Sequence, residues 1–306
     1  MSIVVVGSLN MDLTVSVRER PRTGETVLAS DVRYAGGGKG ANQAIAAARL
    51  GGRVNMVGKV GDDPFGATLI RNLAADGVGT AGVKVEPGVS SGVAFISIDA
   101  AGDNQIIVSP GANARLTPED IRDHADLIAG ARVLLLQLEI PLPTVQAAAE
   151  LAHEHGVTVI LDPAPAQPLP EELLRLVDFL TPNEHEAAAL SDQSITDLKS
   201  ARLAAAKLLS QGPRHVLLKL GDRGVLYATG NRFEHLPAFS VQAVDTTAAG
   251  DAFGAGFAVA WLEEGDIYRA LTFANAVGAL AVTKPGAQPS LPYRKEVEMF
   301  LAARQG

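Results

Sequence analysis

The 306-residue chain has no cysteine, a single tryptophan and only 5% aromatic residues. Without cysteine there is no disulfide, no thiolate metal site and no cysteine nucleophile, and the composition suits a reducing compartment. There is no basic excess: 26 Lys and Arg stand against 34 Asp and Glu, a formal charge of −8. Nucleic-acid binding driven by phosphate contacts is therefore not expected, nor is adhesion to an anionic membrane. An anionic ligand has to be met by local donors instead. The longest apolar runs, such as 252–262, fall well short of the roughly 20 residues of a membrane span. Residues 1–7 have no basic n-region and too short an apolar run for a signal peptide, so a soluble, cytoplasmic protein is expected. His153 and His155 are two apart and cannot share a helix face, so no zinc site is expected. No serine lies in a nucleophile elbow. Trp261, inside an apolar helical stretch, reads as core.

What is present is ordinary globular material, 47% hydrophobic and 20% charged, enough for two domains or one large α/β domain. Short apolar runs predict strands at Ile3–Val6, Val54–Val57, Val133–Leu138, Val157–Leu161, Phe179–Thr181 and Val216–Leu220. Ala- and Leu-rich segments predict helices over 40–50, Pro64–Asp76, Leu142–His155, Leu169–Leu176, Glu184–Leu190, Ile195–Ser210, 249–264 and 267–282. Strands that are continuously apolar suit a parallel sheet covered on both faces, and the alternating order predicts an α/β layered fold. Two regions break the rhythm. Residues 12–18 and 26–34, and then 92–98 and 104–109, alternate apolar and polar, the second pair joined by the turn Asp99-Ala100-Ala101-Gly102-Asp103. They predict a small separate β-sheet that covers a site as a lid or pairs with another copy.

Five segments carry possible chemistry. Gly36-Gly37-Gly38-Lys39-Gly40-Ala41-Asn42 opens a helix, where glycines admit a ligand to free N–H groups. It is neither a P-loop nor a correctly placed dinucleotide fingerprint, and a tight turn is its plain alternative. Asp245-Thr246-Thr247-Ala248-Ala249-Gly250-Asp251 leads into a long apolar helix. Its small residues expose successive N–H groups, an anion hole suited to a phosphoryl group, and Asp251 can take a proton from an attacking hydroxyl. Helix capping by the two aspartates is the alternative. Asn10, Asp12 and Glu139 follow strands, where open α/β sheets bind ligands, and they suit a polyhydroxylated substrate or cap loops. Asn183 and Glu186 share one helix start and suit hydrated Mg²⁺ or a capping box. Lys219 to Gly224 is a glycine turn able to pass under a nucleotide.

Taken together, and over essentially the whole length, these segments resemble the ribokinase family of sugar kinases, which includes B-type phosphofructokinase. The specific parts are Gly37–Asn42 and Asp245–Asp251, in that order and spacing. The resemblance implies one three-layer αβα kinase domain over residues 1–306, with a mostly parallel central sheet and β-lid insertions at about 12–35 and 91–110. It implies ATP-dependent phosphorylation of a sugar, the 5-hydroxyl of D-ribose being favoured. Within the family 2-deoxyribose, fructose, a nucleoside or a keto-deoxy sugar acid are the alternatives. A non-catalytic binding protein is a distant one, as is a dinucleotide-dependent oxidoreductase. By resemblance, Asp251 is the catalytic base, and Ala248, Ala249 and Gly250 form the anion hole. Asn10, Asp12, Gly38, Lys39, Asn42, Glu139 and Asp251 hold the sugar. Asn183, Lys219, Gly221, Asp222, Gly224, Gly250 and Asn275 bind ATP, and Glu186 organises Mg²⁺ through water. Asp245, Thr247, Ala281, Lys284, Gly286 and Ser290 form a loop for K⁺. Two lids clasp to make a homodimer, with no nucleic-acid or membrane partner. Three positions depart from the family pattern. Ala248 stands where Gly is common and fits at little cost only if its φ is negative. Asn275 stands where His is also seen, and Asp162 where Asn is frequent.

Overall fold

β1 (Ser2–Val6) shows how the sheet is built. Its residues alternate between two apolar layers, Ile3 and Val5 against one set of helices and Val4 and Val6 against the other. A strand buried on both faces has no polar side, hence its unbroken β-branched sequence. The computed structural model describes residues 2–101 and 103–304. Gly102 of the expected 99–103 turn lies outside the described residues.

From β1 the chain enters a second sheet at β2 (Asn10–Ser16) and β3 (Val32–Gly37), then returns through α1 (Lys39–Arg49), β4 (Arg53–Gly61), α2 (Pro64–Ala75) and β5 (Gly79–Glu86). A second excursion forms β6 (Gly92–Ile98) and β7 (Asn104–Ser109). The chain then alternates through α3 (Pro118–Asp123), α4 (Ala125–Ala129), β8 (Val133–Leu136), α5 (Leu142–Glu154), β9 (Thr158–Leu161), α6 (Glu171–Leu174) and β10 (Phe179–Leu180). It ends with α7 (Glu184–Ser191), α8 (Leu198–Leu209), β11 (His215–Lys219), β12 (Val225–Thr229), β13 (Arg232–Leu236), α9 (Ala249–Glu264), α10 (Ile267–Ala281) and α11 (Arg294–Ala302).

The large sheet runs β13-β12-β11-β10-β9-β8-β1-β4-β5. It is parallel from β11 to β5, with β12 and β13 added antiparallel at one edge. Helices cover both faces, giving the expected α/β layers. α1, α9 and α10 pack on one face, and α5 and α8 on the other. The small sheet runs β3-β2-β6-β7, antiparallel except where β2 lies parallel to β6. Its register places Asp12, Ala35, Ala94 and Val108 in one row, with Asn10 on the same face. The neighbouring row of Tyr34, Leu13, Phe95 and Ile107 lies on the opposite face. Among the described residues no helix is long and apolar enough to cross a membrane.

Several boundaries differ from the sequence reading. Residues 26–31 form no strand; β3 begins at Val32 and runs into Gly36 and Gly37, where small residues pair with Met11 and Asn10. The 133–138 strand stops at Leu136, because Leu138 donates its N–H to Ala164 rather than to a neighbouring strand. The 169–176 helix shortens to one turn after Pro170. The sequence reading missed β5, α3, α4, α11 and the β12–β13 hairpin. That hairpin turns at Gly230, with φ 51°, and its outer strand is half-exposed, so no continuous apolar run betrays it.

Candidate active site

The parallel strands deliver the site. Asn10 follows β1, Glu139 follows β8, Asp162 follows β9, Asn183 follows β10 and Lys219 ends β11. All lie at the carboxyl ends of the sheet, where parallel strands present their free groups.

At the acceptor end the glycines of 36–40 serve close chain packing. Gly38 has φ 87°, and a Cβ there would sit 2.7 Å from the Asn10 nitrogen. A Cβ on Gly40 would lie 2.6 Å from Ser8 N, and one on Gly37 would overlap the Asp12 carboxylate. The α1 N-terminus is not an open phosphate cradle. Glu139 Oε2 accepts the Lys39 N–H at 3.1 Å and the Ser8 hydroxyl at 2.6 Å, and the Ala41 N–H donates to Ser8 O. Glu139 thus caps this helix, and Asn10 Nδ2 adds a longer bond of 3.4 Å to the same oxygen. Asn113, absent from the sequence reading, fixes Asn10: its Nδ2 donates to Asn10 Oδ1 at 2.8 Å and to Leu9 O. A cavity of about 490 Å³ opens here between Asn10, Glu139, Val108 of β7, Asn113 and Gln167.

Asp251 lies one turn into α9, 5% exposed. Asn42 Nδ2 donates to its Oδ2 at 2.9 Å and Gln43 Nε2 to its Oδ1 at 3.3 Å. Burial raises its pKa to about 6, against the pull of Lys39. Asp12 is raised further, to about 7, by burial and then by the charges of Glu139 and Asp251. Burial would lower Lys39, but Asp251, Asp162, Glu139 and Glu186 outweigh it and hold the ammonium well above the ordinary lysine value. Asn42 Oδ1 is buried and has no hydrogen-bond partner. An orphaned buried acceptor in a polar site has capacity for one further donor.

The residue that opens α9 supplies no side-chain cap, as is also true at α1, α4, α5 and α6. α2, α7 and α10 are capped by Asp63, Asn183 and Asp266, whereas Ala248 offers no side-chain cap. Among the described residues no acceptor meets the N–H of Gly250 or Asp251. Ala249 is partly committed, its N–H donating to Thr246 O at 3.2 Å, so Gly250 and Asp251 are the freer donors of the expected hole. Ala248 itself has φ 59° and ψ 9°, a left-handed conformation. The condition of a negative φ, on which alanine was expected to cost little, is not met.

Beside the start of α9 lies a cleft of about 770 Å³. Asn183, Lys219, Gly221, Asp222, Gly224, Gly250 and Asn275 all line it. Sequence reasoning missed its apolar walls, Phe239, Val241, Phe253, Ala279 and Val282, because they lie on three separate segments. Asn183 and Glu186 form a reciprocal capping box. Glu186 Oε2 accepts the Asn183 N–H at 2.7 Å and Oε1 its Nδ2 at 2.8 Å. Burial raises the Glu186 pKa, opposed by Lys219. Each oxygen takes one donor from Asn183, backbone or side chain, and keeps lone-pair capacity for water, so the pair fits hydrated Mg²⁺ as well as a cap.

Asp245 organises the loop beside α9. Its Oδ1 accepts the Thr247 N–H and hydroxyl, and its Oδ2 the Gly286 N–H at 2.8 Å. Burial raises its pKa, but these hydrogen bonds outweigh it and hold the carboxyl below the usual range. Among the described residues no cationic side chain pairs with it, and an ionised carboxylate so placed can take a monovalent cation on its remaining lone pairs. Lys284 turns its ammonium to Glu296 at 2.6 Å, and the Ser290 hydroxyl donates to Ala287 O. Neither side chain joins Asp245, and Ala281 ends α10, so these three can take part only through backbone oxygens.

Residues 1–294 match the pfkB family of carbohydrate kinases. The chain is 44% identical over 301 residues to the ribokinase of Bacillus subtilis, covering 98% of this chain and 99% of that protein. It is 39% identical over 306 residues to the deoxyribokinase of Salmonella typhi, covering 100% of both. The solved structure of Arabidopsis thaliana ribokinase complexed with ribose and ATP superposes with a TM-score of 0.93 at 36% identity, covering 98% of each chain.

Proposed function

The chain belongs to the pfkB family of carbohydrate kinases, and we propose that it transfers the γ-phosphoryl group of ATP to the 5-hydroxyl of D-ribose, giving ribose 5-phosphate and ADP. The position of Asp251 carries this reading. Its carboxylate is held by Asn42 and Gln43 from the acceptor side, while its neighbour Gly250 lines the nucleotide cleft. The carboxylate takes the hydroxyl proton as the sugar oxygen bonds to the γ-phosphorus. The bond from that phosphorus to the bridging oxygen breaks, and the electrons leave on ADP. The N–H groups of Gly250 and Asp251, at the positive end of α9, face the charge that develops on the phosphoryl oxygens. Lys39, half-buried, adds a positive charge on the acceptor side.

Asn10, Asp12, Gly38, Lys39, Asn42 and Glu139 hold the sugar in this reading, and the cleft residues from Asn183 to Asn275 hold ATP. Mg²⁺, held through water by Glu186, would neutralise phosphate charge. A monovalent cation, K⁺ for preference, would sit with Asp245, Thr247 and the backbone oxygens of 281–290. The fixed Asn10 amide and the unpartnered Asn42 Oδ1 support a fully hydroxylated sugar. The likeness to a deoxyribokinase favours 2-deoxyribose as a second reading.

The small sheet is read as a lid inserted in a single kinase domain, because the face bearing Asn10 and Asp12 also bears Val108, which lines the acceptor cavity. Tyr34, Phe95 and Ile107, the last 71% exposed, give the other face an apolar row that supports lid-to-lid pairing in a homodimer. A monomer in sedimentation at micromolar concentration would remove that pairing. The acidic, cysteine-free composition supports work in the cytoplasm.

The test is ADP release with ATP and Mg²⁺ on D-ribose, 2-deoxyribose, fructose, adenosine and a keto-deoxy acid, each in K⁺ and in Na⁺. Turnover with ribose, stimulated by K⁺, is expected. Turnover confined to another sugar overturns the acceptor assignment, and silence on all of them overturns the kinase reading.

A further inference from the structure

Lys219 and Asp162 form a buried ion pair where the two substrate sites meet. Lys219 Nζ lies 2.9 Å from Asp162 Oδ1, their side chains 13% and 5% exposed. The same ammonium is 3.1 Å from the place a Cβ on Gly250 would occupy, beside the free N–H groups of α9. The other Asp162 oxygen accepts from Gln43 Nε2 at 3.3 Å, the same nitrogen that donates to Asp251 Oδ1. Gln43 is in turn held by Gln137, whose Nε2 donates to Gln43 Oε1 at 2.6 Å.

We propose that Asp162 is a positioning residue that holds the Lys219 ammonium over Gly250, where it meets the transferring phosphoryl group. This rests on the kinase reading above. A lysine side chain has four rotatable carbons and much rotamer freedom, so a fixed ammonium needs a fixed partner. A buried carboxylate supplies one, and Gln43 fixes that carboxylate. There is also a competitor. The Lys219 charge acts on Glu186, the carboxylate one turn into α7 that is held by Asn183. Without Asp162 the ammonium is free to close on Glu186 and leave the start of α9. The pair also settles charge. With Lys219 in place Asp162 is neutralised, whereas alone it would set a buried negative charge beside an incoming phosphate.

The test is a double-mutant cycle on the intact enzyme, Asp162→Asn, Lys219→Thr and the double variant, with kcat and the KM for each substrate. Asp162→Asn keeps shape and hydrogen-bonding capacity, and should lower kcat about tenfold while leaving the KM for the sugar unchanged. Lys219→Thr should lower kcat further and raise the KM for ATP. The double variant should keep at least the kcat of Lys219→Thr, since with the ammonium gone Asp162 has nothing to position and its charge repels phosphate. Losses that multiply would overturn the proposal, as would an Asp162→Asn enzyme with unchanged kcat. Should Lys219→Thr alone fail to fold, Asp162→Asn by itself still decides: an unchanged kcat, or a loss carried by the KM for the sugar instead of by kcat, overturns the proposal. An inactive parent enzyme would instead count against the kinase reading.

Discussion

Ala248→Gly should make the protein more stable, although it removes a methyl group from a well-packed region. Ala248 has φ 59° and ψ 9°, and a left-handed backbone costs an L-residue about 1–2 kcal/mol. Glycine takes that conformation freely, but it also widens the unfolded ensemble, returning about 0.4–1 kcal/mol. The difference leaves about 0.5–1 kcal/mol in favour of glycine. For a chain of this size that corresponds to a rise in Tm of about 1–3 °C. The backbone around the site is already set by the Ala252 N–H to Ala248 O bond and by the packing of α9 against α1 and α10. Turnover should therefore stay within about threefold. Equilibrium urea unfolding of parent and variant, alongside kcat, is the assay. Asp192, left-handed with φ 52° at the end of α7, serves as a comparison. Aspartate tolerates that region better, so Asp192→Gly should gain less. An Ala248→Gly protein equal to the parent in stability, or weaker, would refute the assignment of strain to this residue.

Asp251→Asn should fold and lose about 10²–10⁴-fold in turnover, the usual worth of a general base. It should also gain stability at pH 8. The folded carboxyl titrates near 6 instead of 3.8, so the folded state binds more protons and stability falls as pH rises through that window. Removing the charge recovers up to about 3 kcal/mol above it, and a less stable variant at pH 8 would count against this. The kcat/KM for sugar should rise with pH to a plateau, with an apparent pKa of about 6 that belongs to the coupled carboxylates. Asp12, raised to about 7, passes from donor to pure acceptor between pH 6 and 8. The sugar KM should fall across that range in the parent and stay flat in Asp12→Asn. Asp245→Ala should abolish the difference between K⁺ and Na⁺ in steady-state rates.

The parts of the site that were legible in the sequence are those where a residue type is forced locally. Gly37, Gly38 and Gly40 leave no room for a side chain against Asp12, Asn10 and Ser8, so the glycine run marks its own place. Asp251 stood out because a carboxylate follows three small residues at a helix start. What could not be seen was set by partners far apart in the chain. Asn42 and Asp251 are 209 residues apart, and Lys219 and Asp162 are 57 apart. Asn113, Gln43 and Gln137 are ordinary polar residues on a turn, a helix and a strand end, and only the fold shows what they hold. The left-handed turn at Ala248 was hidden because alanine does not advertise it. The alternation was legible at β1, β4 and β8 to β11, since buried parallel strands are apolar throughout. β5 and the edge strand β13 are only partly covered and show no such run, while β12 is buried and was passed over all the same.

The path of the chain through its two sheets separates the two substrates along the sequence. The acceptor cavity is lined from residues 10–167, and the nucleotide cleft from residues 183–282. Asp251, reached by Asn42 and Gln43, and Lys219, paired with Asp162, tie the two halves where they meet. The strands that cover the acceptor cavity also carry Asn10, Asp12 and the exposed apolar row. On the proposed reading, exchanging that first portion between relatives would carry acceptor choice and its cover together, while the phosphoryl donor machinery stayed with the second.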